Sequence, residues 1–216
     1  MQWALKILNA FPDIEESFVT KNKNSNYSFA SNSPQVIYDI MKARRSNRKW
    51  AIEQPSAQDL HDHALQMIQA AITAPCSGNR QGVRFRIILD EEEKILLKGI
   101  KEHHCYSAPL LIFIGAESDV YYSLGESDIN CRYLDAAASA MQIINYATAM
   151  NYGTCWNHFD KYMVHSRKKN TEIYNNFCKK LNIPSNIEPI AIIAIGKTKY
   201  VVPTPVRMDI NSFILK

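Results

Sequence analysis

The pattern of hydrophobic and polar positions predicts more helices than strands along this chain. The first strongly periodic segment follows Pro34, where apolar residues at helical spacing predict a helix that ends near the basic run Lys42–Lys49. A second helix is expected to begin at Ser56, because Ser56-Ala-Gln-Asp59 resembles a capping box with Asp in place of Glu. Its apolar face contains Leu60, Ala64, Met67, Ile68 and Ala71, and Pro75 is expected to end it.

Continuous apolar runs predict three buried strands, Val83–Leu89, Pro109–Ala116 and Pro189–Gly196. Asp90 is expected to cap a helix that continues to about His103. A long helix rich in Ala and Met is predicted over Asn130–Asn151, and its small residues imply close contact with another helix, inside the core or across a dimer interface. With a mostly polar helix over Lys161–Leu181, the order of elements is α-α-β-α-β-α-α-β, which predicts an α+β sandwich with a mixed sheet.

Residues 1–34 differ in composition from the rest and are interpreted as an N-terminal extension to one domain, residues 35–216. Trp3, Ile7, Leu8 and Phe11 fall at helical spacing and predict a short amphipathic helix that packs on the domain or on a partner. The segment Lys21–Pro34 is rich in Asn and Ser and lacks periodic apolar positions, which is typical of a loop or linker.

Composition narrows the class of protein. Hydrophobic residues make up 46% and charged residues 21% of the 216 positions, as in an ordinary globular domain. No apolar run approaches the roughly 20 residues that cross a bilayer, and the N-terminus does not resemble a signal peptide. We therefore expect a cytoplasmic protein without membrane association. The net charge of +4 is mild and no nucleic-acid module accompanies the basic clusters, so no nucleic-acid partner is expected.

The five cysteines are scattered without a CxxC pair, which predicts reduced thiols and no metal site. In Gly153–Asp160, Cys155 and His158 stand three residues apart, but no acid is available to orient the histidine. A thiol nucleophile needs such an arrangement. We therefore predict no catalytic side chain in this chain.

Two other segments carry side chains suited to binding. In Arg44-Arg-Ser-Asn-Arg48, guanidinium groups flank a hydroxyl, which suits phosphate because arginine offers a planar bidentate fork. The same run also suits the negative end of a helix. The segment Ala74–Gln81 places Ser, Asn, Arg and Gln side chains in a compact turn, which is equally typical of an ordinary connection.

Taken in order, these segments resemble the FMN-dependent nitroreductase family. The similar stretches are ARRSNRKW, APCSGNRQGVRF, DAAASAMQIINYATAMNYGTCW and PIAIIAIGKTKYVVPTPVRMD, and the resemblance extends from Val36 to Asp209. It implies a nitroreductase-like α+β fold, with a mixed antiparallel sheet flanked by helices in a three-layer α/β/α sandwich. It also implies a homodimer with FMN at the subunit interface.

The resemblance implies a set of FMN-binding residues. Arg44 and Ser46 are expected at the phosphate or ribityl chain, Arg48 near the N1–C2=O edge of the ring, and Arg45 beside them. Arg207, in the Pro-x-Arg ending, is expected at the phosphate. The turn is expected to line the ribityl chain and ring from the second subunit, through Pro75, Cys76, Ser77, Asn79 and Gln81. In the Trp156–Asn157 segment, a backbone N–H is expected to point at flavin N5.

The activity implied by the resemblance is that of an NAD(P)H-dependent FMN oxidoreductase. Hydride passes from NAD(P)H through flavin N5 to an electron-poor acceptor (nitroaromatic, quinone or enone) by a ping-pong mechanism, while the protein supplies position and charge. The alternatives are other flavin chemistry, namely flavin fragmentation, dehalogenation or oxidation of a biosynthetic intermediate, and a non-catalytic flavin-binding module. Two departures affect substrate choice: Gly82-Val83 replaces the usual Pro-Trp, predicting a looser backbone, and His158 replaces a small residue.

Overall fold

The computed structural model describes residues 30–121, 126–159 and 168–215, with side chains described except in 126–129 and 168–170. The predicted N-terminal helix around Trp3 and Phe11 lies outside the described residues. So do positions 21–29 of the predicted linker and positions 161–167 of the predicted polar helix.

Within the described residues, six α-helices and four strands follow one another along the chain. The helices are α1 (Ser33–Ala43), α2 (Ala57–Ala71), α3 (Glu91–Ile95), α4 (His103–Tyr106), α5 (Glu126–Ala149) and α6 (Lys168–Lys180). The strands are β1 (Val83–Ile88), β2 (Leu110–Glu117), β3 (Gly153–His158) and β4 (Ile187–Gly196). Short 3₁₀ turns cover Ser77–Asn79, Ser118–Val120 and Ile210–Phe213.

The strands form one sheet in the order β1-β2-β4-β3, and each neighbouring pair is antiparallel. Alternate residues of β2 enter different cores, because side chains along a strand point to opposite faces. Ile112 and Ile114 pack with α2 and α5 on one face, whereas Leu111 and Phe113 pack with α4 and α6 on the other. These two apolar layers confirm the predicted α+β class and the three-layer sandwich.

The start of α2 follows the predicted capping box. The Ser56 hydroxyl accepts the backbone N–H of Asp59 at 3.1 Å, which satisfies one of the free donors of the first turn. The helix ends at Ala71, four residues before Pro75, so the predicted end was too late. After Ala71 the backbone tightens to bonds between residues three apart, from the Thr73 N–H to the Ala70 carbonyl and from the Ala74 N–H to the Ala71 carbonyl. The residue before a proline also avoids helical geometry.

The single helix predicted from Asp90 to His103 is wrong. Asp90 does cap a helix, accepting the backbone N–H groups of Glu92 and Glu93, but α3 ends at Ile95. Gly99 then adopts a left-handed conformation with φ 98°, which an α-helix does not contain. The chain turns there and begins the separate helix α4 at His103.

The predicted order of elements also omits β3. Gly153–His158 forms a strand that pairs with β4 along its full length. Asn151, with φ 58°, ends the preceding α5. At Gly153 a Cβ atom would lie 2.1 Å from Thr198 Cγ2 and 2.9 Å from Asn47 Cβ, so only glycine allows the chain to enter the strand here.

The small residues of α5 are used inside this chain. Ala136, Ala140 and Ala147 are buried against the sheet and α2. Of the two explanations for these small residues, close packing inside the core therefore accounts for them. Exposed apolar side chains of α5 lie elsewhere on the helix, at Leu134, Met141 and Tyr146. In the described part of the chain, no helix combines the length and apolarity needed to cross a membrane.

Candidate functional site

The arginine-rich segment leaves α1 and runs along the outer edge of β3. Ser46 forms a parallel bridge with Thr154, and the Asn47 backbone N–H donates to the Thr154 carbonyl at 2.8 Å. Further on, Trp50 pairs with Thr198, and its indole N–H donates to the His104 carbonyl at 2.9 Å. The segment is therefore held against the sheet at both ends.

A pocket of about 340 Å³, the cationic pocket, lies between the end of α1 and the C-terminal tail. Three predicted site residues meet in it: Arg44, Arg45 and Arg207. Its other lining residues are Tyr38, Met41, Lys42, Thr204 and Pro205. Several cations around one concave surface favour an anion, and guanidinium groups bind phosphate with bidentate geometry.

The arginines of the cationic pocket differ in what they contact. Arg45 donates from Nη1 to the carbonyls of Lys42 and Arg44, and from Nη2 to the Thr204 hydroxyl. Its Nε is buried and has no hydrogen-bond partner among the described residues. Within the same part of the chain, the structure records no hydrogen bond or ion pair for the side chain of Arg44 or Arg207.

The backbone of β3 directs the N–H groups of alternate residues at the open edge of the sheet. In an antiparallel ladder, successive residues direct their N–H and C=O groups to opposite sides. The Thr154 carbonyl faces the Asn47 side, and the Phe159 N–H bonds to Ile190 of β4 at 2.9 Å. By this alternation, the Trp156 N–H points away from β4, towards the open edge.

Arg48 lies close to Cys155 and His104. Burial raises the pKa of the Cys155 thiol, and the positive charge of Arg48, followed by a hydrogen bond from it, opposes that shift. Burial and then the Arg48 charge lower the pKa of His104. Asn157 fixes the imidazole: its amide donates to the Cys155 and Ile192 carbonyls, so its oxygen faces His104 Nε2, 3.2 Å away. Nε2 is therefore the donor in this contact.

The turn before β1 is held by α5. Both carboxylate oxygens of the buried Asp135 accept the Ser77 backbone N–H at 3.0 Å, and the Tyr121 hydroxyl donates to the same group at 2.9 Å. The Gln81 N–H contacts Cys76 Sγ at 3.4 Å. Left-handed conformations occur in the turn at Gly78, Asn79 and Gln81.

The predicted site is thus divided within one chain. The cationic pocket joins Arg44, Arg45 and Arg207, but none of its lining residues belongs to the turn that contains Pro75, Cys76, Ser77, Asn79 and Gln81. Ser46, Trp156 and Asn157 lie on or beside β3. The expected looseness at Gly82 is wrong, because Gly82 is buried and a Cβ there would lie 2.4 Å from Tyr121 Cε2.

Asp135, Tyr121, His104 and Thr204 are not among the residues predicted for the site. One signal was present for Asp135, because it is an acidic residue one position from the buried Ala136 in an otherwise apolar stretch. Such a residue needs a polar partner. Its partner, the Ser77 amide, is a backbone group 58 positions away, which side-chain patterns do not reveal.

The same fold occurs in other solved structures. A nitroreductase-like protein from Streptococcus mutans is 15% identical, with a TM-score of 0.67 over 85% of this chain and 98% of its own. A candidate nitroreductase from Desulfovibrio desulfuricans, solved in complex with FMN, is 19% identical, with a TM-score of 0.66 over 83% and 95%. A candidate NADH oxidase from Clostridium acetobutylicum is 23% identical, with a TM-score of 0.62 over 81% and 96%.

The model of the nitroreductase family matches residues 91–197. This span is just under half of the chain, and the match supports the resemblance to the nitroreductase family that the sequence motifs indicated. The matched span runs from α3 to the residue after β4, so Arg44–Arg48, the turn and Arg207 lie outside it. A comparison with curated protein sequences gave no match. In the described residues, no three His, Cys, Asp or Glu side chains are grouped so that they could hold a metal.

Proposed function

We propose that this protein is an FMN-dependent oxidoreductase that takes hydride from NAD(P)H and works as a homodimer. The observation that carries the proposal is the cationic pocket, in which Arg44 and Arg207 come together from distant parts of the chain. Resemblance to the nitroreductase family supplies the class of chemistry, and the pocket supplies a place for the cofactor phosphate.

The residues present fit a flavin phosphate. A phosphate monoester carries about −1.5 to −2 charges near neutral pH, and the pocket offers Lys42 and three arginines. The side chains of Arg44 and Arg207 are not engaged by other described residues, so their donors are available. A bound anion also stabilises a pocket in which like charges otherwise repel one another.

The open edge of β3 fits the rest of the cofactor. Ser46 lies beside Thr154, next to the pocket arginines in sequence, and suits the ribityl chain. The Trp156 N–H, directed at the same edge, suits a hydrogen bond to flavin N5. Arg48 is the cation we assign to the N1–C2=O edge, where a fixed positive charge stabilises the negative charge of the reduced ring.

When bound, FMN supplies the redox chemistry: it accepts hydride at N5 and passes it to an electron-poor acceptor such as a quinone, enone or nitroaromatic. The chain holds the phosphate through Arg44 and Arg207 and orients the ring through the Trp156 N–H. It contributes charge through Arg48. No side chain is assigned to proton transfer in this proposal.

We assign the missing part of the site to a second copy of the chain. Exposed apolar side chains cover α1, including Ile37 and Met41, each 53% exposed. The tail adds Val201, Val206, Met208, Ile210, Phe213, Ile214 and Leu215. Exposed apolar surface of this extent is typical of an interface. In the proposed dimer the turn Pro75–Gln81 of one subunit completes the cationic pocket and ring site of the other.

The test begins with the purified protein. We expect a yellow protein whose released chromophore has the mass of FMN, and a dimer in solution. Anaerobic addition of NADH or NADPH should bleach the flavin, and a quinone or nitroaromatic should restore its colour. Apo-protein that takes up no FMN rules out the proposal. Bound FMN that neither nucleotide reduces favours the non-catalytic flavin-binding module instead.

A further inference from the structure

The Arg45 side chain forms hydrogen bonds within the protein, whereas no such bond to the described residues is recorded for the side chains of Arg44 and Arg207. One terminal nitrogen of Arg45 donates to the carbonyl of Arg44 at 2.8 Å and also to that of Lys42, and the other donates to the Thr204 hydroxyl. The guanidinium group therefore connects the end of α1 to the C-terminal tail. Three of its five N–H donors are used in these contacts, and its Nε–H is buried, so Arg45 has fewer donors left for a phosphate than Arg44 or Arg207.

The tail has little else to hold it at this point. Between positions 200 and 208 the described chain makes no backbone hydrogen bond. Its one side-chain hydrogen bond to the described residues is the one that the Thr204 hydroxyl accepts from Arg45. Without such a bond the tail is free to leave the end of α1. Beyond Tyr200, whose ring faces the Lys49 ammonium group, the contact between Arg45 and Thr204 is the hydrogen bond that holds this described stretch in place.

Two prolines make the backbone between Thr204 and Arg207 stiff, so the position of Thr204 determines that of Arg207. Pro203 and Pro205 flank Thr204, and Val206 alone separates Pro205 from Arg207. Proline fixes its own φ and restricts the residue before it, so the stretch is stiff. Fixing the Thr204 hydroxyl consequently fixes the approach of Arg207 to the pocket.

The contact between Arg45 and Thr204 also opposes the electrostatic repulsion among the cations of the pocket. Lys42, Arg44, Arg45 and Arg207 all line the same small pocket. Like charges that line one pocket repel, and the repulsion favours withdrawal of Arg207, which the C-terminal tail carries. Holding Arg207 in place before an anion arrives is preorganisation, which increases affinity because less order has to be created on binding.

We propose that Arg45 is a positioning residue, which fastens Thr204 to the end of α1 and thereby holds Arg207 beside Arg44 for phosphate binding. The phosphate part of this inference rests on the proposed function, and the fastening of the tail does not. Arg45 thus differs in role from Arg44 and Arg207, which contact the ligand in the proposed site.

The first experiment measures FMN affinity of apo-protein by fluorescence titration. Arg45→Lys keeps the charge but cannot bridge two carbonyls and a hydroxyl with one fork, and Thr204→Val removes the acceptor without changing charge. Each should weaken FMN binding about tenfold, the effect of losing one hydrogen bond to a charged group. In an Arg207→Ala background neither should weaken it further. Arg86→Ala and Thr73→Val serve as matched controls, since Arg86 lies on β1 at the opposite sheet edge and pairs with Glu93.

The second experiment needs no flavin. Trypsin cleaves after Arg207, and its rate on FMN-free protein reports how often the tail is released. We expect Thr204→Val to accelerate this cleavage about tenfold, in line with the loss of one such hydrogen bond. A synthetic peptide spanning residues 201–212, with and without the substitution, should be cleaved at equal rates.

Each result has one consequence for the proposal. Unchanged affinity in Thr204→Val, or additive losses in the Arg45 and Arg207 double variant, overturn it in favour of direct phosphate binding by Arg45. A fall in melting temperature without a change in affinity or cleavage also overturns it. If the wild-type protein binds no FMN, the proposed function fails, and the trypsin assay still decides whether Arg45 fastens the tail.

Discussion

Asp135 and the Ser77 backbone amide are joined by a two-oxygen contact, with each carboxylate oxygen 3.0 Å from the amide nitrogen. Tyr121 donates to one of these oxygens, so two segments meet on one buried acid. The turn that follows Ser77 contains left-handed residues, Gly78, Asn79 and Gln81. Left-handed backbone is unfavourable for glutamine, whereas glycine and asparagine adopt it more readily, and the Asp135 contact offsets part of the cost at Gln81.

We expect Asp135→Asn to lower the free energy of unfolding by about 1–3 kcal/mol, the usual effect of disrupting a buried, charge-assisted hydrogen bond. FMN affinity should fall as well, because the turn is part of the proposed ring site. Urea unfolding and fluorescence titration measure the two effects. Asp62→Asn, on the exposed side of α2, is the matched control and should change neither. Unaltered stability in Asp135→Asn would show that the turn does not depend on this acid.

Gly82→Ala should destabilise the protein by about 1–3 kcal/mol, as expected for overpacking. Its Cβ would lie 2.4 Å from Tyr121 Cε2 and 2.5 Å from Val120 Cγ2, and Tyr121 cannot move without breaking its contact with Asp135. Gly78→Ala is the comparison, since its Cβ meets only the Arg80 side chain at 3.9 Å, an ordinary contact, and only its φ of 57° opposes the substitution. Thermal unfolding of both variants distinguishes steric overlap from backbone strain. Equal stability of Gly82→Ala and the wild type contradicts the packing described here.

The phosphate role of Arg44 can be separated from general flavin affinity by comparing FMN with riboflavin, which lacks the phosphate. We expect the wild-type protein to prefer FMN, and Arg44→Ala to reduce that preference at least about tenfold, the effect of one lost hydrogen bond to a charged group. Riboflavin affinity should stay constant. Arg86→Ala, with the same change in charge on β1, should leave the ratio unaltered. Parallel losses for both ligands would mean that Arg44 does not bind the phosphate.

His104 should titrate below its ordinary pKa of 6.5, first because it is partly buried and then because Arg48 is close. Between the folded and unfolded pKa values, the unfolded chain binds more protons, so stability falls as pH decreases below about 6.5. Imidazole NMR signals, assigned with His104→Gln, measure the pKa directly. Arg48→Ala should raise it, and His104→Gln should flatten the pH dependence of unfolding. A His104 pKa above 6.5 excludes this description.

The proposed dimer predicts the behaviour of Ile37 on α1. We expect Ile37→Asp to yield monomers that bind FMN weakly, because a charge at an apolar interface core is strongly unfavourable. Light scattering coupled to size-exclusion chromatography measures the oligomer. Ile95→Asp is the control: Ile95 is similarly exposed, at 49%, but lies on α3 in the opposite layer. A monomeric wild-type protein with full FMN content refutes the shared site.

Local signals predicted much of this fold. Ser56 and Asp59 form their cap within four consecutive residues, and Asp90 caps α3 through its own neighbours. Continuous apolar runs located β2 and β4 because both are buried on two faces. By contrast, β3 carries the mixed sequence GTCWNH, and it becomes a strand because β4 offers it a full antiparallel edge.

The site was only partly accessible to the same reasoning. Arg44 and Arg207 could be proposed as phosphate ligands from residue type alone, because arginine suits phosphate. The fold then brings the two residues into one pocket. Two hydrogen bonds depend on contacts between distant segments: the one from Arg45 to Thr204, and the one that Asp135 accepts from the Ser77 amide. Their geometry follows from the packing of the tail and of α5, which no local pattern encodes.

The two edges of the sheet are protected against pairing with other chains in different ways. The β1 edge carries charged side chains, Arg84 and Arg86, which disfavour docking of a foreign strand. The β3 edge is covered by the chain itself at Ser46, but the Trp156 N–H beyond it stays directed outwards. In the proposed holoprotein the cofactor covers that donor. Flavin-depleted protein therefore exposes a short unpaired strand edge that can pair with another chain. We expect it to aggregate during expression and storage unless FMN is supplied.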